Sequence, residues 1–205
     1  MTSRTPPAVR RRANTRARLL DAALDVFAEK GLRGTTVDDL VGAAGFTRGA
    51  FYSNFSSLDE VFFVLFETQS AAMVATVRAV IDSIPEEEFS LESVWDVLDG
   101  LHPFGRQWYL IQTEFVLFAL RNARAREVFS EHGRGLRDEL ADVLREVFRK
   151  LGRAPLVPIE QVTETVMALY LHSLAQENLG AETLRPQEMV QNVLPEVVLG
   201  LSRPL

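Results

Sequence analysis

Cysteine is absent from this chain of 205 residues. That removes disulfides and thiolate metal sites, and it suits a reducing cytoplasm, the location expected from sequence. Long uncharged runs are absent too. The longest stretch without Asp, Glu, Lys or Arg is the twelve residues Thr165 to Gln176, so no membrane span is expected. The triple arginine at 10–12 is followed by ANTRARLLDAALD, which Arg16, Arg18, Asp21 and Asp25 interrupt, so it does not introduce an export signal. Strand signals are missing: there is no sustained period-two alternation. The three histidines, His102, His132 and His172, are scattered, with no Asp or Glu at metal-ligand spacing. No Ser-His-Asp arrangement, phosphate-binding glycine loop or paired-carboxylate pocket can be assembled. The expectation is a protein that is not an enzyme and uses neither metal nor cofactor.

What is present is helical and unevenly charged. The net charge is −6, yet residues 1–55 hold nine Lys/Arg against five Asp/Glu. The remainder holds thirteen against twenty-three. A basic head that approaches an anion and an acidic body that does not is the natural reading. A polar, arginine-rich tail extends through about Asn14. The first helix is expected at Thr15 to Lys30, with Leu20, Ala23, Leu24 and Phe27 on one stripe and Gly31 as its stop. A short second helix starts at Thr36, whose hydroxyl can cap it with help from Asp39, and buries Val37, Leu40, Val41 and Ala44. Gly45 ends it, and Thr47 caps a third helix that runs to about Phe55.

The stretch AAGFTRGAFYSNF, residues 43–55, mixes four rings with two glycines and an arginine. A helix-turn-helix reconciles the two. Phe46, Phe51 and Phe55 turn inward, and Thr47, Arg48, Gly49, Tyr52, Ser53 and Asn54 are left on the outside. An outward glycine costs about 1 kcal/mol of helix propensity relative to alanine, which makes sense where another backbone must come close. Ser57 to Glu60 forms a capping box for a fourth helix that nothing stops before Pro85, roughly 40 Å at 1.5 Å per residue. Further helices are expected at about 90–101, 104–121, 124–151, 159–178 and 186–201, with a kink at Pro195.

From about Arg16 to Phe66 the chain resembles the TetR family of bacterial transcriptional regulators. The resemblance rests on LLDAALDVFAEKG, GTTVDDLVGAAGFTRGAFYSNF and SSLDEVF. It implies an all-α protein. A three-helix DNA-binding domain with a helix-turn-helix occupies 1–56, and a larger helical ligand-binding and dimerisation domain occupies 57–205. It implies that Thr36 and Tyr52 contact phosphate, that Thr47 caps the recognition helix, and that Arg48 and Gly49 lie at its groove-facing start. Ser53 and Asn54 match positions that touch phosphate or bases. Leu58 departs from the family, which commonly has a phosphate-reaching lysine there. The arginines at 4, 10, 11, 12, 16 and 18 could supply charge instead, as an arm on DNA or as a plain solubilising tail.

In the body, Trp108, Gln112 and Phe115 share a helical face with Ala119. Trp95, Phe104, Met167, Tyr170 and Phe66 are their expected companions around an apolar pocket with a few polar groups. Each of these residues also reads as ordinary core. Val162, Val166, Leu169 and Ser173, with Met189, Val193, Val197 and Leu201, are expected to pair with a second copy as a four-helix interface. The expected function is a dimeric repressor on double-stranded DNA, at an inverted-repeat operator, released by a small apolar or amphipathic molecule. A regulator without an inducer, an activator, and a helical binding protein or enzyme that has lost DNA binding remain alternatives.

Overall fold

The computed structural model describes residues 7–94, 102–180 and 189–205, with side-chain placements outside 7–11, 102–104 and 189–190. Among the described residues the regular structure is helical apart from one small strand pair. Helix α1 spans Pro7–Gly34, α2 Val37–Ala44, α3 Arg48–Tyr52 and α4 Leu58–Ser83. A short 3-10 turn, Glu86–Glu88, follows. Then come α5 His102–Arg121, α6 Ala123–Lys150, α7 Ile159–Asn178 and α8 Leu194–Gly200. The expected helix near 90–101 is seen only at 91–94; its remainder, including Trp95, lies outside the described residues.

Helix α1 begins at Pro7, so the expected tail through Asn14 is helical over its second half. Proline suits a first helical position because its missing N–H has no intrahelical partner there. Gly31 breaks α1 with φ 69°, and a Cβ there would stand 2.9 Å from Glu114 Oε1. The left-handed backbone is what requires glycine, since the Glu114 carboxylate ends a flexible side chain that can move aside. The buried stripe of α1 is Leu19, Ala23, Val26 and Phe27; Leu20 and Leu24 pack at its edge.

Helix α2 is capped as its sequence dictates. Thr36 Oγ1 accepts from the Asp39 amide at 3.2 Å, while Asp39 Oδ2 accepts from the Thr36 amide at 2.9 Å. Gly45 closes the helix with φ 69°. Gly45→Ala is expected to cost about 1–2 kcal/mol. A Cβ there would meet only Arg18 Nη2 at 3.7 Å, so the cost is backbone strain alone. Urea unfolding checks it, and a cost under about 0.3 kcal/mol would contradict the assignment.

Ser57 caps α4 by accepting from the Glu60 amide, but the reciprocal half of the expected capping box is displaced. Glu60 Oε2 reaches back to the amide and hydroxyl of Ser56, both at 2.7 Å. Leu58 packs against the core, so this position serves the interior. By length and composition α4 could reach across a bilayer, which the count of charge-free residues did not register. Here its Val61, Phe62, Leu65 and Phe66 are buried in the core.

One hydrophobic cluster joins α1, α2 and α3 to α4, α5 and the start of α6. Its centre is Phe115, whose ring meets those of Phe62, Phe63, Phe66 and Phe129 at centroid separations of 4.6–5.5 Å. Phe62 meets Phe27 of α1 edge-on at 5.3 Å. Phe66 and Phe115, read as pocket residues, are therefore core. Four helices meet at this point, and planar rings fill such a junction without burying an unpaired polar atom.

The face of α7 expected to meet a second copy turns inward. Val162 is fully buried with Ala141, Phe148, Ile159 and Val198, and Ser173 is buried. Val166 and Leu169 pack around Leu194, and Leu201 packs against the Val162 cluster. The apolar stripe is consumed in closing the body, leaving Ala168 and His172 of α7 and Val193 before α8 exposed. Pro195 sits in the first turn of α8, after a π-helical turn at Met189–Val193. The wider turn accommodates the residue that cannot donate, so the proline begins a helix where a mid-helix kink was expected. Strands Arg153–Pro155 (β1) and Ser202–Pro204 (β2) pair antiparallel, pinned by Arg153 Nε donating to Ser202 Oγ at 2.7 Å.

Candidate nucleic-acid interface and body cavity

The outward surface of the head is small and rigidly backed. Thr47 Oγ1 accepts from the Ala50 amide at 3.3 Å and starts α3. Phe51 and Phe55, both buried, hold α3 to the core. That leaves Thr47, Arg48, Gly49 and Ser53 exposed, with Tyr52 60% exposed and edge-on to Phe51. Gly49 has a negative φ, and a Cβ added to it would meet only Thr47 Oγ1 at 3.8 Å. Nothing inside the chain therefore requires a glycine there.

Asn54 departs from expectation. It is only 8% exposed, and its Nδ2 donates to the Ala50 carbonyl at 2.8 Å. The chain leaves α3 at Ser53, so helical spacing no longer places residue 54 on the outer face. Arg16 and Arg18, read as part of a DNA arm, brace the head. Arg16 Nη1 donates to the Asn54 carbonyl at 2.9 Å and stacks over Phe55. Arg18 Nη2 donates to the Ala44 carbonyl at 3.1 Å and stacks over Phe46. Arg12 is exposed, and Arg4 lies outside the described residues.

Two acidic residues of α2 shape this surface: Asp39, expected from sequence only as a capping partner of Thr36, and Asp38, which was not singled out. Asp38 accepts from Arg48 Nε and Nη2, both at 2.5 Å, and this pairing holds its carboxyl below the usual carboxylate range. Asp39 accepts from Lys30 Nζ at 2.6 Å and from Thr36, which lowers its carboxyl strongly. A group lowered in the folded state stabilises above its unfolded value, about 3.9 for Asp, and loses that contribution as pH falls through the folded value. Asp39→Asn is expected to destabilise at pH 7 and to match the parent in strong acid. Urea midpoints across that range check it; an equal deficit at every pH would contradict it.

The body contains an apolar cavity of about 120 Å³ between α4, α6, α7 and α8. Met73, Val77 and Ile81 of α4 recur at every fourth residue along its wall, a spacing visible in sequence but not read as pocket-lining. Trp108, Met167 and Tyr170 line it as expected. A second cavity of about 160 Å³ adjoins it through shared Met73, Trp108 and Tyr170, and adds Gln69, Thr76 and Gln107. Phe104 lies in α5 with its side chain outside the described residues. Gln112 lines neither cavity; its Oε1 is buried without a partner. Burial raises the Tyr170 hydroxyl above its ordinary value, so it stays protonated. Among the described residues, no group of three His, Asp or Glu could hold a metal.

Helix α5 touches both sites. It carries Trp108 at the cavities, and Gln107 Nε2 donates to Asp25 Oδ1 of α1 at 2.9 Å. Further along, Arg33 of α1 lies over Phe118 of α5.

Residues 19–65 match the sequence profile described as "Bacterial regulatory proteins, tetR family". The head of this chain is therefore similar to the DNA-binding domain of the TetR family. It is 35% identical over 120 residues to the uncharacterized HTH-type transcriptional regulator YfiR of Bacillus subtilis, aligning 54% of each chain. The chain thus spans about half the length of that relative. It is 29% identical to the HTH-type transcriptional repressor AcnR of Corynebacterium efficiens, over 93% of this chain and 94% of that one. A crystal structure of a transcriptional regulator from Rhodococcus sp. Rha1 superposes with a TM-score of 0.66 at 24% identity, covering 91% and 95% of the two chains.

Proposed function

We propose that this protein is a ligand-responsive repressor of the TetR family, binding an inverted-repeat operator as a dimer in the cytoplasm. Residues 1–56 serve as the DNA-binding head, and residues 57–205 serve as the ligand-binding and dimerisation body. The observation that carries the reading is the outer face of α3. Arg48, Gly49 and Tyr52 stand exposed on a helix whose inner side is fixed by Phe51 and Phe55. A glycine with open space around it, beside an arginine and an exposed ring, suits a helix laid against a phosphate backbone in the major groove. Thr36, Thr47 and Ser53 flank this face with hydroxyls that can reach phosphate. The outer face of α7 and the Val193 turn, with Ala168 and His172, serve as the dimer surface.

Release follows from α5, which both lines the cavities and grips α1. An occupant that shifts Trp108 moves the anchorage of Gln107 on Asp25, and the two heads no longer match the operator spacing. Taking the population from 1:99 to 99:1 needs roughly 5.5 kcal/mol of differential affinity.

The test is selection of random-sequence duplex DNA by the purified protein at near-physiological salt. Enrichment of a palindrome, with Tyr52→Phe weakening binding evenly across sequences, supports the reading. No enrichment rejects it.

A further inference from the structure

We infer that the body cavity between α4, α6, α7 and α8 is a site for a small hydrocarbon, of the size of a single carbocycle and without any hydrogen-bonding group. The inference rests on the ligand-responsive reading above and narrows the occupant to a chemical class.

The wall of this cavity exposes almost no polar surface. Among the described residues that line it, Trp108, Thr163 and Tyr170 carry a side-chain nitrogen or oxygen. Thr163 Oγ1 is spent on the Ile159 carbonyl at 2.8 Å, and Trp108 Nε1 is itself inaccessible. Tyr170 therefore shows the cavity its ring. A water molecule needs about two to four polar partners, and this wall supplies none. A carboxylate or ammonium seated here would lose its hydration without gaining a counter-charge, which is heavily unfavourable. The adjoining cavity of about 160 Å³ differs, because Gln69, Thr76 and Gln107 bring polar surface to it. Water can be held there but not in its neighbour.

The packing around the cavity shows what an occupant would gain. Away from the ring cluster that reaches the head, the described apolar interior is divided into three small clusters. The cavity lies where they meet. Ile81, Val143 and Val147 bring one cluster to its wall, Leu144 and Val198 another, and Leu194 the third. Side chains at such a junction lack neighbours on one side and forfeit the dispersion energy of those contacts. An apolar occupant restores the contacts and joins three clusters into one core. The volume sets its size. A cavity of about 150 Å³ lined by Leu, Ile and Phe excludes water and takes benzene, and this one measures about 120 Å³. Met73 and Met167, unbranched and adaptable, can fit the wall to the occupant's shape.

The experiment measures direct binding of methylcyclohexane and cyclohexanol to the full-length protein, without DNA. The two molecules have nearly the same shape and differ in a methyl against a hydroxyl. Methylcyclohexane is expected to bind about 10- to 100-fold more tightly, the penalty for seating a hydroxyl among apolar groups. Val143→Phe, which fills the cavity, is expected to weaken methylcyclohexane binding at least about 10-fold. Cyclohexanol binding as tightly as methylcyclohexane to the parent protein would overturn the inference even if Val143→Phe fails to fold. So would a parent protein that binds no methylcyclohexane up to its solubility limit, or an unchanged affinity in a folded Val143→Phe. Because no DNA is present, hydrocarbon binding that leaves operator affinity unchanged would reject the ligand-controlled repression while this inference stands. Operator release by a polar molecule, with no binding of methylcyclohexane, would do the reverse.

Discussion

Phe115→Ala is expected to lower folding stability by about 3–5 kcal/mol, the range for removing a fully buried phenylalanine. Phe115 has no exposed surface, and four other phenylalanine rings close around it. Those rings come from α4 and α6, while Phe62 passes the contact on to Phe27 of α1. Truncation therefore leaves a cavity where helices of head and body meet, and collapse into it would have to move several elements at once. A second consequence follows from the position. Even under conditions where the variant stays folded, α5 is expected to hold α1 less firmly, so a body ligand should alter DNA affinity by a smaller factor than in the parent. Urea unfolding followed by tryptophan fluorescence checks the stability; operator titration with and without ligand checks the coupling. A stability cost below about 1 kcal/mol would mean that the ring cluster does not carry the junction.

The head was readable in the sequence because its signals are local. The Thr36–Asp39 cap, the glycine at 45 and the Thr47 cap each lie within four residues of what they cap, and each formed as expected. The misreadings have a common cause: periodicity identifies an apolar face but not what covers it. The stripe Val162, Val166 and Leu169 covers the body's own core, although the same spacing would serve a second copy. Phe66 and Phe115 could be assigned to pocket or core only once the packing of α4, α5 and α6 was known. Asn54 was misplaced because it follows the last turn of α3, where a helical projection no longer holds. The strand pair at Arg153–Pro155 and Ser202–Pro204 is three residues long, too short to show alternation. Asp38 went unnoticed because its partner Arg48 lies ten residues away across the turn, with no sequence rule linking them.

That ion pair yields the largest expected effect on recognition. Arg48→Ala is expected to relax selection at one base pair in each half-site, a loss of about 1–3 kcal/mol of discrimination. Asp38 engages the Nε and Nη2 edge of the guanidinium and leaves Nη1 at the far end uncommitted. An arginine held along one side and free at its tip is oriented for a base edge rather than roaming over phosphates. Asp38→Asn should therefore act in two directions. Removing a negative charge from the head strengthens binding to all duplexes and steepens its salt dependence. Releasing the guanidinium lowers the ratio of specific to non-specific affinity. Arg48→Lys should not restore discrimination, because an ammonium cannot donate in the bidentate geometry of the planar fork. The pairing lowers the Asp38 carboxyl, so it stays ionised through neutral pH and the effect of Asp38→Asn should be constant between about pH 6 and 8. Titrations against the selected operator and a single-base variant, at two salt concentrations, separate the outcomes. If Arg48→Ala weakens every sequence equally, its contact is to phosphate. If Asp38→Asn leaves the specificity ratio unchanged, the carboxylate pairs with the arginine in the free protein without positioning it on DNA.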